Sequence, residues 1–172
     1  MPPVMIFSVN LMQVFNKLIA MKITKTGKRG IDLIKSFEGF YAKPYICPAG
    51  VPTIGYGTTR YPSGQKVTLR DKSITLAQGL DYLKYDLKRF ELAVDALIRD
   101  DINQNQFDAL VSFTYNLGES NLKISTLAKK VNANPKDPAI EKEFAKWVNA
   151  NGKKLEGLVK RRKAESDLYF LK

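Results

Sequence analysis

Residues 37–59 read FEGFYAKPYICPAGVPTIGYGTT, and they mark a change in the chain from a helical to an extended pattern. Before this stretch, residues 28–37 carry apolar side chains at helical spacing, with Thr24 and Thr26 as candidate N-caps. Across residues 44–67, short runs of Pro, Gly, Tyr, Thr and Val are typical of β-hairpins. The sequence therefore predicts a helix followed by a small β-rich region.

The remainder of the chain is predicted to be mainly helical. A long helix is expected over about 75–98, where apolar side chains recur at steps of three and four residues, with Ser73 and Thr75 as candidate caps. A second helix is expected to begin near Asn103 or Asn105. Further helices are expected at about 125–131, 139–149 and 155–171. This order predicts an α+β fold in which the long helix joins a small β-hairpin lobe to a larger helical lobe.

The composition limits the chemistry that the chain can perform. Its 172 residues suit one domain or two small lobes around a shared core, and they include no histidine and a single cysteine. A Ser/His/Asp triad, a Cys/His dyad and a histidine-rich zinc site are therefore excluded. Any hydrolysis must use carboxylates, hydroxyls, Cys47 or water, and we expect no metal and no other cofactor.

The net charge of +11 predicts attraction to polyanions, which include nucleic acid, an anionic membrane and an acidic cell wall. Charge alone does not choose among these partners.

The first twenty residues, MPPVMIFSVNLMQVFNKLIA, are mostly apolar, with no acid and one base. Amide side chains interrupt the apolar run, and the basic start of a secretory signal is missing. Three interpretations stay open for residues 1–21: a weak membrane-associating or signal-anchor segment, an amphipathic helix on a surface, or an over-extended reading frame whose true start is Met21. We expect residues 22–172 to form the folded domain.

Glu38 is unusual because it occupies an apolar stripe. It follows Ile31 and Ile34 at helical spacing, where another aliphatic side chain would be expected. Partial burial and the negative end of the helix dipole would both disfavour ionisation of its carboxyl group, as a general acid requires. The alternative is a surface glutamate at a frayed helix end.

Two further features of the opening stretch have competing interpretations. Cys47 lies in a proline-flanked loop, where it is either an inert small apolar residue or part of a site. Gly55 and Gly57 alternate with larger residues, which indicates either a backbone that something approaches closely or a bulge.

Together these residues resemble the catalytic region of the phage-type lysozymes, glycoside hydrolase family 24. The signature of that family is Glu, eight residues, Asp or Cys, five residues, Thr, and Glu38, Cys47 and Thr53 meet this spacing. The segments 103–118, 125–132 and 156–169 are also similar to the helical lobe of the family. The resemblance covers roughly residues 22–172 and implies a lysozyme-like catalytic domain.

The resemblance implies hydrolysis of the β-1,4 bond between N-acetylmuramic acid and N-acetylglucosamine in peptidoglycan. In this scheme Glu38 is the general acid, Cys47 assists the attacking water or stabilises positive charge on the sugar, and Thr53 orients the water. We expect substrate contacts from Tyr45, Tyr56, Gly57 and Asn116.

The sequence departs from the family pattern at two positions. A thiol is mostly neutral at pH 7, so Cys47 is a poorer base than aspartate unless nearby cations act on it, and it is either a base or a polar positioner. Thr58 stands where many relatives have histidine, so an ion pair from that histidine is missing.

Arg161 and Arg162 lie in a segment that in relatives folds back toward the catalytic glutamate. Either arginine is a candidate ion-pair partner of Glu38, and such a pair would oppose the effects of burial and the helix dipole. The alternative for the basic run 160–163 is a solvated helix face.

The favoured interpretation is a phage or prophage endolysin that is monomeric and acts on peptidoglycan, with anionic lipopolysaccharide or a membrane surface as further candidate partners. We expect it to reside in the host cytoplasm before lysis and to act on the wall in the periplasm, with inner-membrane association through residues 1–20 left open. The alternative is a basic module that binds membrane or nucleic acid without catalysis. It leaves Glu38 unexplained and lacks a nucleic-acid-binding signature, so we expect no nucleic-acid partner.

Overall fold

The computed structural model of the protein describes residues 22–172, so the hypotheses on residues 1–21 concern a segment outside the described residues. Within the described range, seven helices and two short antiparallel hairpins follow one another. They are α1 (Lys28–Glu38), β1 (Tyr41–Ile46), β2 (Pro52–Gly55), α2 (Leu76–Leu97), α3 (Gln104–Leu117), α4 (Glu119–Ile124), α5 (Thr126–Ala133), α6 (Ile140–Ala145), β3 (Asn149–Ala150), β4 (Lys153–Lys154) and α7 (Glu156–Tyr169).

Helix α1 is capped from another helix, which corrects the prediction of Thr24 or Thr26 as its N-cap. The N-cap residue is Gly27, and no side chain of its own segment caps the helix. Instead the carboxylate of Asp108, in α3, accepts hydrogen bonds from the backbone N–H of Gly27 at 2.7 Å and of Gly30 at 3.0 Å. The hydroxyl of Thr26 is used elsewhere, because it donates to a carboxylate of α2 at 2.8 Å.

The small lobe is built on the β1–β2 hairpin, in agreement with the predicted β-rich region. The strands pair Tyr45 with Thr53 and Tyr41 with Gly55, with an irregularity between these two pairs. An isolated bridge between Ile54 and Thr58 then folds the chain back on itself. The glycines in this turn have φ angles of +67° and +110°, a left-handed region that other residues rarely adopt.

Helices α2 and α3 begin where the sequence predicts. Thr75 and Asn103 are their N-caps, and each forms a capping box with the glutamine three residues later. Helix α2 buries an aliphatic and aromatic stripe, which contains Leu83, Leu87, Phe90 and Val94. Helix α3 is buried continuously from Asn105 to Thr114 and packs against α1, α2 and α7. It is therefore the centre of the helical lobe.

The helix predicted at 139–149 is shorter than expected and is followed by a second hairpin. Helix α6 ends at Ala145, and β3 pairs with β4 across the residues Asn151 and Gly152. Both turn residues have positive φ angles, 51° and 74°, which is the backbone pattern of a two-residue Asn-Gly hairpin turn. The short helix α4 was not predicted from the sequence. Residues 22–172 contain no helix that is both long enough and apolar enough to cross a membrane.

Candidate active site

Glu38 lies at the wall of a cleft between the two lobes. It is the last residue of α1, one turn beyond the fully buried Ile34, and its side chain is 24% exposed. The cleft has a volume of about 890 Å³, and Gly57, from the β lobe, and Asn116, from α3, line it together with Glu38. The carboxyl group at the end of the predicted apolar stripe is therefore half-buried and faces an open groove.

One of the two candidate arginines pairs with Glu38. Arg161 Nη1 lies 2.6 Å from Glu38 Oε1, and the arginine side chain is 5% exposed. Arg162 does not reach Glu38. Its guanidinium contacts the carboxylate of Glu165 at 2.7 Å and donates to the side-chain oxygen of Asn116 at 3.0 Å. Both arginines are buried, so the alternative of a solvated face does not hold for them.

Arg161 is itself held by a buried polar group that the sequence analysis did not identify. Glu165, which is inaccessible to solvent, lies 3.2 Å from Arg161 Nε. The hydroxyl of Ser112 donates to the same carboxylate oxygen at 2.8 Å. This arrangement gives two buried cations a shared anion, and it fixes the guanidinium that contacts Glu38.

Gly57 brings the backbone of the β lobe next to Glu38. A Cβ atom at this position would lie 4.0 Å from Glu38 Oε2 and only 2.9 Å from the hydroxyl of Tyr115, at a φ angle of +110°. The Tyr115 hydroxyl donates to the carbonyl of Tyr56 at 2.8 Å, and burial raises the pKa of this phenol. Position 57 is therefore glycine because the Tyr115 hydroxyl and Glu38 approach its backbone closely, and not only because of a bulge.

Tyr56 is not among the residues that line the cleft, so its expected contact with substrate stays a prediction. It is 6% exposed and packs against the ring of Phe40, with the ring centroids 5.3 Å apart. Its contribution near the site is the backbone carbonyl that orients Tyr115.

Cys47 and Thr53 lie together at the far end of the β1–β2 hairpin. The Cys47 backbone N–H donates to the carbonyl of Val51 at 3.1 Å, and the Thr53 hydroxyl donates to the same carbonyl at 2.9 Å. Hydrogen bonds to the sulfur from the Val51 backbone, and then from the Thr53 side chain, hold the pKa of the Cys47 thiol below its usual value. Neither residue is among those that line the cleft described above.

Tyr45 lies in β1 and, like Tyr56, is not among the residues that line the cleft. Its ring stacks on that of Tyr41 with a centroid distance of 4.1 Å. Burial raises the pKa of the Tyr45 phenol, with smaller contributions from the neighbouring Tyr41, Cys47 and Glu38.

Thr58, at the position where many relatives have histidine, takes part in a hydrogen bond instead of an ion pair. Its hydroxyl donates to Asp86 Oδ2, in α2, at 2.6 Å. Burial raises the pKa of Asp86, which lines the cleft. Among residues 22–172, no group of three or more acidic or cysteine side chains is arranged to hold a metal ion.

A helix-borne glutamate on the wall of a cleft, between a small β lobe and a larger helical lobe, is the arrangement of a lysozyme-type glycoside hydrolase. The family model described as phage lysozyme matches residues 35–165. The chain therefore belongs to the phage lysozyme family. This confirms the resemblance, the fold class and the lysozyme class of enzyme predicted from the sequence, and the non-catalytic alternative is not favoured.

Individual relatives agree with this assignment. The endolysin of Bacillus phage B103 is 42% identical over 82% of this chain, which spans about half (52%) of that relative. The endolysin of Acyrthosiphon pisum secondary endosymbiont phage 1 is 38% identical over 83% of the chain and 95% of its own length. The SAR-endolysin of bacteriophage PS119 is 34% identical over 83% and 80% of the two chains.

The structural comparison agrees as well. A crystal structure of a P22 lysozyme variant superposes with a TM-score of 0.78 and 34% identity, over 87% of this chain and all of that one.

Proposed function

We propose that the protein is a peptidoglycan muramidase that acts as a phage or prophage endolysin. It hydrolyses the β-1,4 bond between N-acetylmuramic acid and N-acetylglucosamine. The observation that carries this proposal is Glu38, held by the buried Arg161 on the wall of a cleft in a lysozyme fold.

The two carboxylate oxygens of Glu38 have different surroundings, and this difference supports Oε2 as the oxygen that carries the donated proton. Oε1 is bound to Arg161, whereas Oε2 is the oxygen nearest to Gly57 at the cleft. Glu38 Oε2 protonates the glycosidic oxygen as the bond to the sugar breaks. Gly57 adds no side chain beside this oxygen, where a Cβ would lie 4.0 Å from Oε2.

Water completes the reaction at the anomeric carbon. Cys47 and Thr53 act on this water from the hairpin, Cys47 through the charge of its thiolate form and Thr53 through its hydroxyl. The depressed thiol pKa supports the role of Cys47, because a larger fraction is ionised at neutral pH than for an ordinary cysteine. Tyr45, Gly57 and Asn116 contact the glycan, and Arg162 orients the amide of Asn116.

The proposed partner is the anionic cell wall, with lipopolysaccharide or a membrane surface as secondary contacts of the basic protein. The charge of +11 supports attraction to all three. The protein acts as a monomer in this proposal, because one chain supplies Glu38, its arginine partner and the cleft.

The protein is proposed to act in the periplasm after release from the host cytoplasm, with residues 1–20 associating with the inner membrane. The support is the apolar, acid-free composition of this segment together with the similarity to a relative named a SAR-endolysin.

Replacing Glu38 by glutamine tests the proposed activity. We expect Glu38→Gln to abolish the turbidity loss of permeabilised Gram-negative cells, because glutamine cannot donate the proton. Glu156→Gln, an exposed position at the start of α7, is the matched control and should stay active. Equal thermal unfolding midpoints would show that both variants are folded. Full lytic activity of Glu38→Gln would remove this residue from the mechanism.

A further inference from the structure

The cleft carries three basic side chains that the proposed reaction does not use. Arg60, Lys88 and Arg89 line it together with Glu38 and Asp86, so its charged lining is basic on balance. We refer to these three residues as the basic rim. Arg60 comes from the β lobe, whereas Lys88 and Arg89 come from α2, so the rim contains cations from both lobes.

The positions of the rim residues on α2 follow from its helical period. Leu83, Leu87 and Phe90 form the buried stripe of this helix. Lys88 and Arg89 lie off that stripe, between the exposed Tyr85 and Leu92, and all four residues line the cleft. Helix α2 therefore presents a continuous face of two cations and two large apolar side chains to the groove that contains Glu38.

The rim is largely free of internal acidic partners. Within residues 22–172, neither Arg60 nor Lys88 forms an ion pair with a carboxylate. Arg60 Nη1 donates to the backbone carbonyl of Gly64 at 2.6 Å, and Lys88 Nζ lies 5.0 Å from the centroid of the Tyr85 ring.

Arg89 has acidic neighbours, but they bind it weakly. Its ion pair with Glu119 is long, at 3.8 Å, and both side chains are exposed. The other nearby acid, Asp86, accepts the hydroxyl of Thr58. Exposed ion pairs of this kind contribute little free energy, so a ligand carboxylate can replace Glu119.

The ligand that fits this rim follows from the chemistry of the substrate. The amino sugars of a peptidoglycan glycan are neutral, and the negative charge near the cleaved bond belongs to the peptide stem on muramic acid. Carboxylates are the natural partners of guanidinium and ammonium groups, and alanine methyl groups of a stem match Tyr85 and Leu92.

We propose that the basic rim binds the carboxylates of the peptide stem and so selects stem-bearing strands over neutral ones. This inference rests on the proposed function, since it assigns a second part of the same substrate to the same cleft. The rim residues act in binding, so they should change KM and leave kcat unaffected.

The experiment compares two soluble substrates: glycan strands with free stem carboxylates, and the same strands with those carboxyl groups converted to primary amides. At low ionic strength, we expect the wild type to have a KM about fivefold lower on the first substrate, as two exposed ion pairs would provide. The double variant Lys88→Gln/Arg89→Gln, which retains Arg60, should lose most of this preference, so that its KM on the strands with free carboxylates approaches the wild-type value for the amidated strands.

A matched control distinguishes the effect of the basic rim from the effect of the net charge of the protein. Lys84→Gln/Lys129→Gln removes the same two charges at exposed positions that do not line the cleft, and it should keep the fivefold preference. The proposal is overturned if the rim variant keeps the preference, or if the control loses it to the same extent. If the wild type hydrolyses neither substrate, the proposed muramidase activity itself fails, and the stem-binding inference fails with it.

Discussion

At the scale of single residues, the site depends on the fixed position of Arg161 and on the absence of a side chain at Gly57. Arg161 is buried beside Glu165, so its guanidinium cannot swing away from Glu38. Gly57 has no side chain to cover Glu38 Oε2, since a Cβ there would lie 4.0 Å from this oxygen. A proton donor needs both conditions, a fixed carboxyl group and an accessible oxygen.

Cys47 is the residue whose protonation can be measured directly, because it is the only cysteine in the chain. Its thiol pKa is lowered by hydrogen bonds that exist only in the folded hairpin. A lowered thiol pKa keeps the reactive thiolate populated at lower pH. We therefore expect the rate of alkylation by iodoacetamide to reach its midpoint at a lower pH in the native protein than in the same chain unfolded in urea. Coincident midpoints would contradict the assigned environment.

The same residue can be tested for its part in the reaction. Cys47→Asp should keep substantial lytic activity, because a carboxylate also provides negative charge, whereas Cys47→Ala should lose most of it. If Cys47→Ala is as active as the wild type, the cysteine serves packing alone.

At the scale of elements, helix α1 depends on α3 for its start. Asp108 is almost fully buried and accepts hydrogen bonds from two N–H groups at the beginning of α1. It lies so close to α1 that a Cβ on Gly30 would be 2.8 Å from the Cβ of Asp108. The helix that carries Glu38 is thus fixed to the centre of the helical lobe at one end and to Arg161 at the other.

Removing this cap should weaken α1 specifically. We expect Asp108→Ala to lower the free energy of unfolding by about 2 kcal/mol, since the partly buried N–H of Gly27 and the buried N–H of Gly30 lose their acceptor. Amide hydrogen exchange should accelerate most in the first turn of α1. Asp32→Ala, on the exposed side of the same helix, is the control and should stay within about 0.5 kcal/mol of the wild type. An equal effect of the two substitutions would argue against the cap.

The helices and strands also show which structural features can be predicted from the sequence. The capping boxes at Thr75 and Asn103 are local signals within four residues, and the helices begin there as predicted. The cap of α1 comes from Asp108, about eighty residues away, and no local pattern contains it. The choice of Arg161 over Arg162 is of the same kind, because it depends on how α7 packs against α3 and α1. The Asn151–Gly152 turn, in contrast, is a local hairpin signal that the sequence prediction did not use.

At the scale of the whole molecule, the two lobes and the long helix α2 build one cleft with an acid at its wall and a basic rim. The charge of +11 lies on the same molecule that must reach an anionic wall, which predicts faster association at low ionic strength. In the proposed function, the cleft selects the bond that is cleaved, and the net charge raises the rate at which the protein meets the anionic polymer.

The proposed membrane association of residues 1–20 is also tested at this scale. If they associate with the membrane, the full chain should sediment with inner-membrane vesicles, and a chain that starts at Met21 should stay in the supernatant. Both chains should lyse permeabilised cells equally, because residues 22–172 contain the cleft. Identical distribution of the two chains would favour a true start at Met21.

The most direct test of the account is the mass of the new chain ends after digestion of purified peptidoglycan. Acid-catalysed attack by water predicts new reducing ends on N-acetylmuramic acid with wild-type protein, and no new ends with Glu38→Gln. A 1,6-anhydro product, which is lighter by one water, would indicate a lytic transglycosylase. New reducing ends on N-acetylglucosamine would indicate cleavage of the other glycosidic bond. Either result would contradict hydrolysis of the muramic acid bond by Glu38 and water.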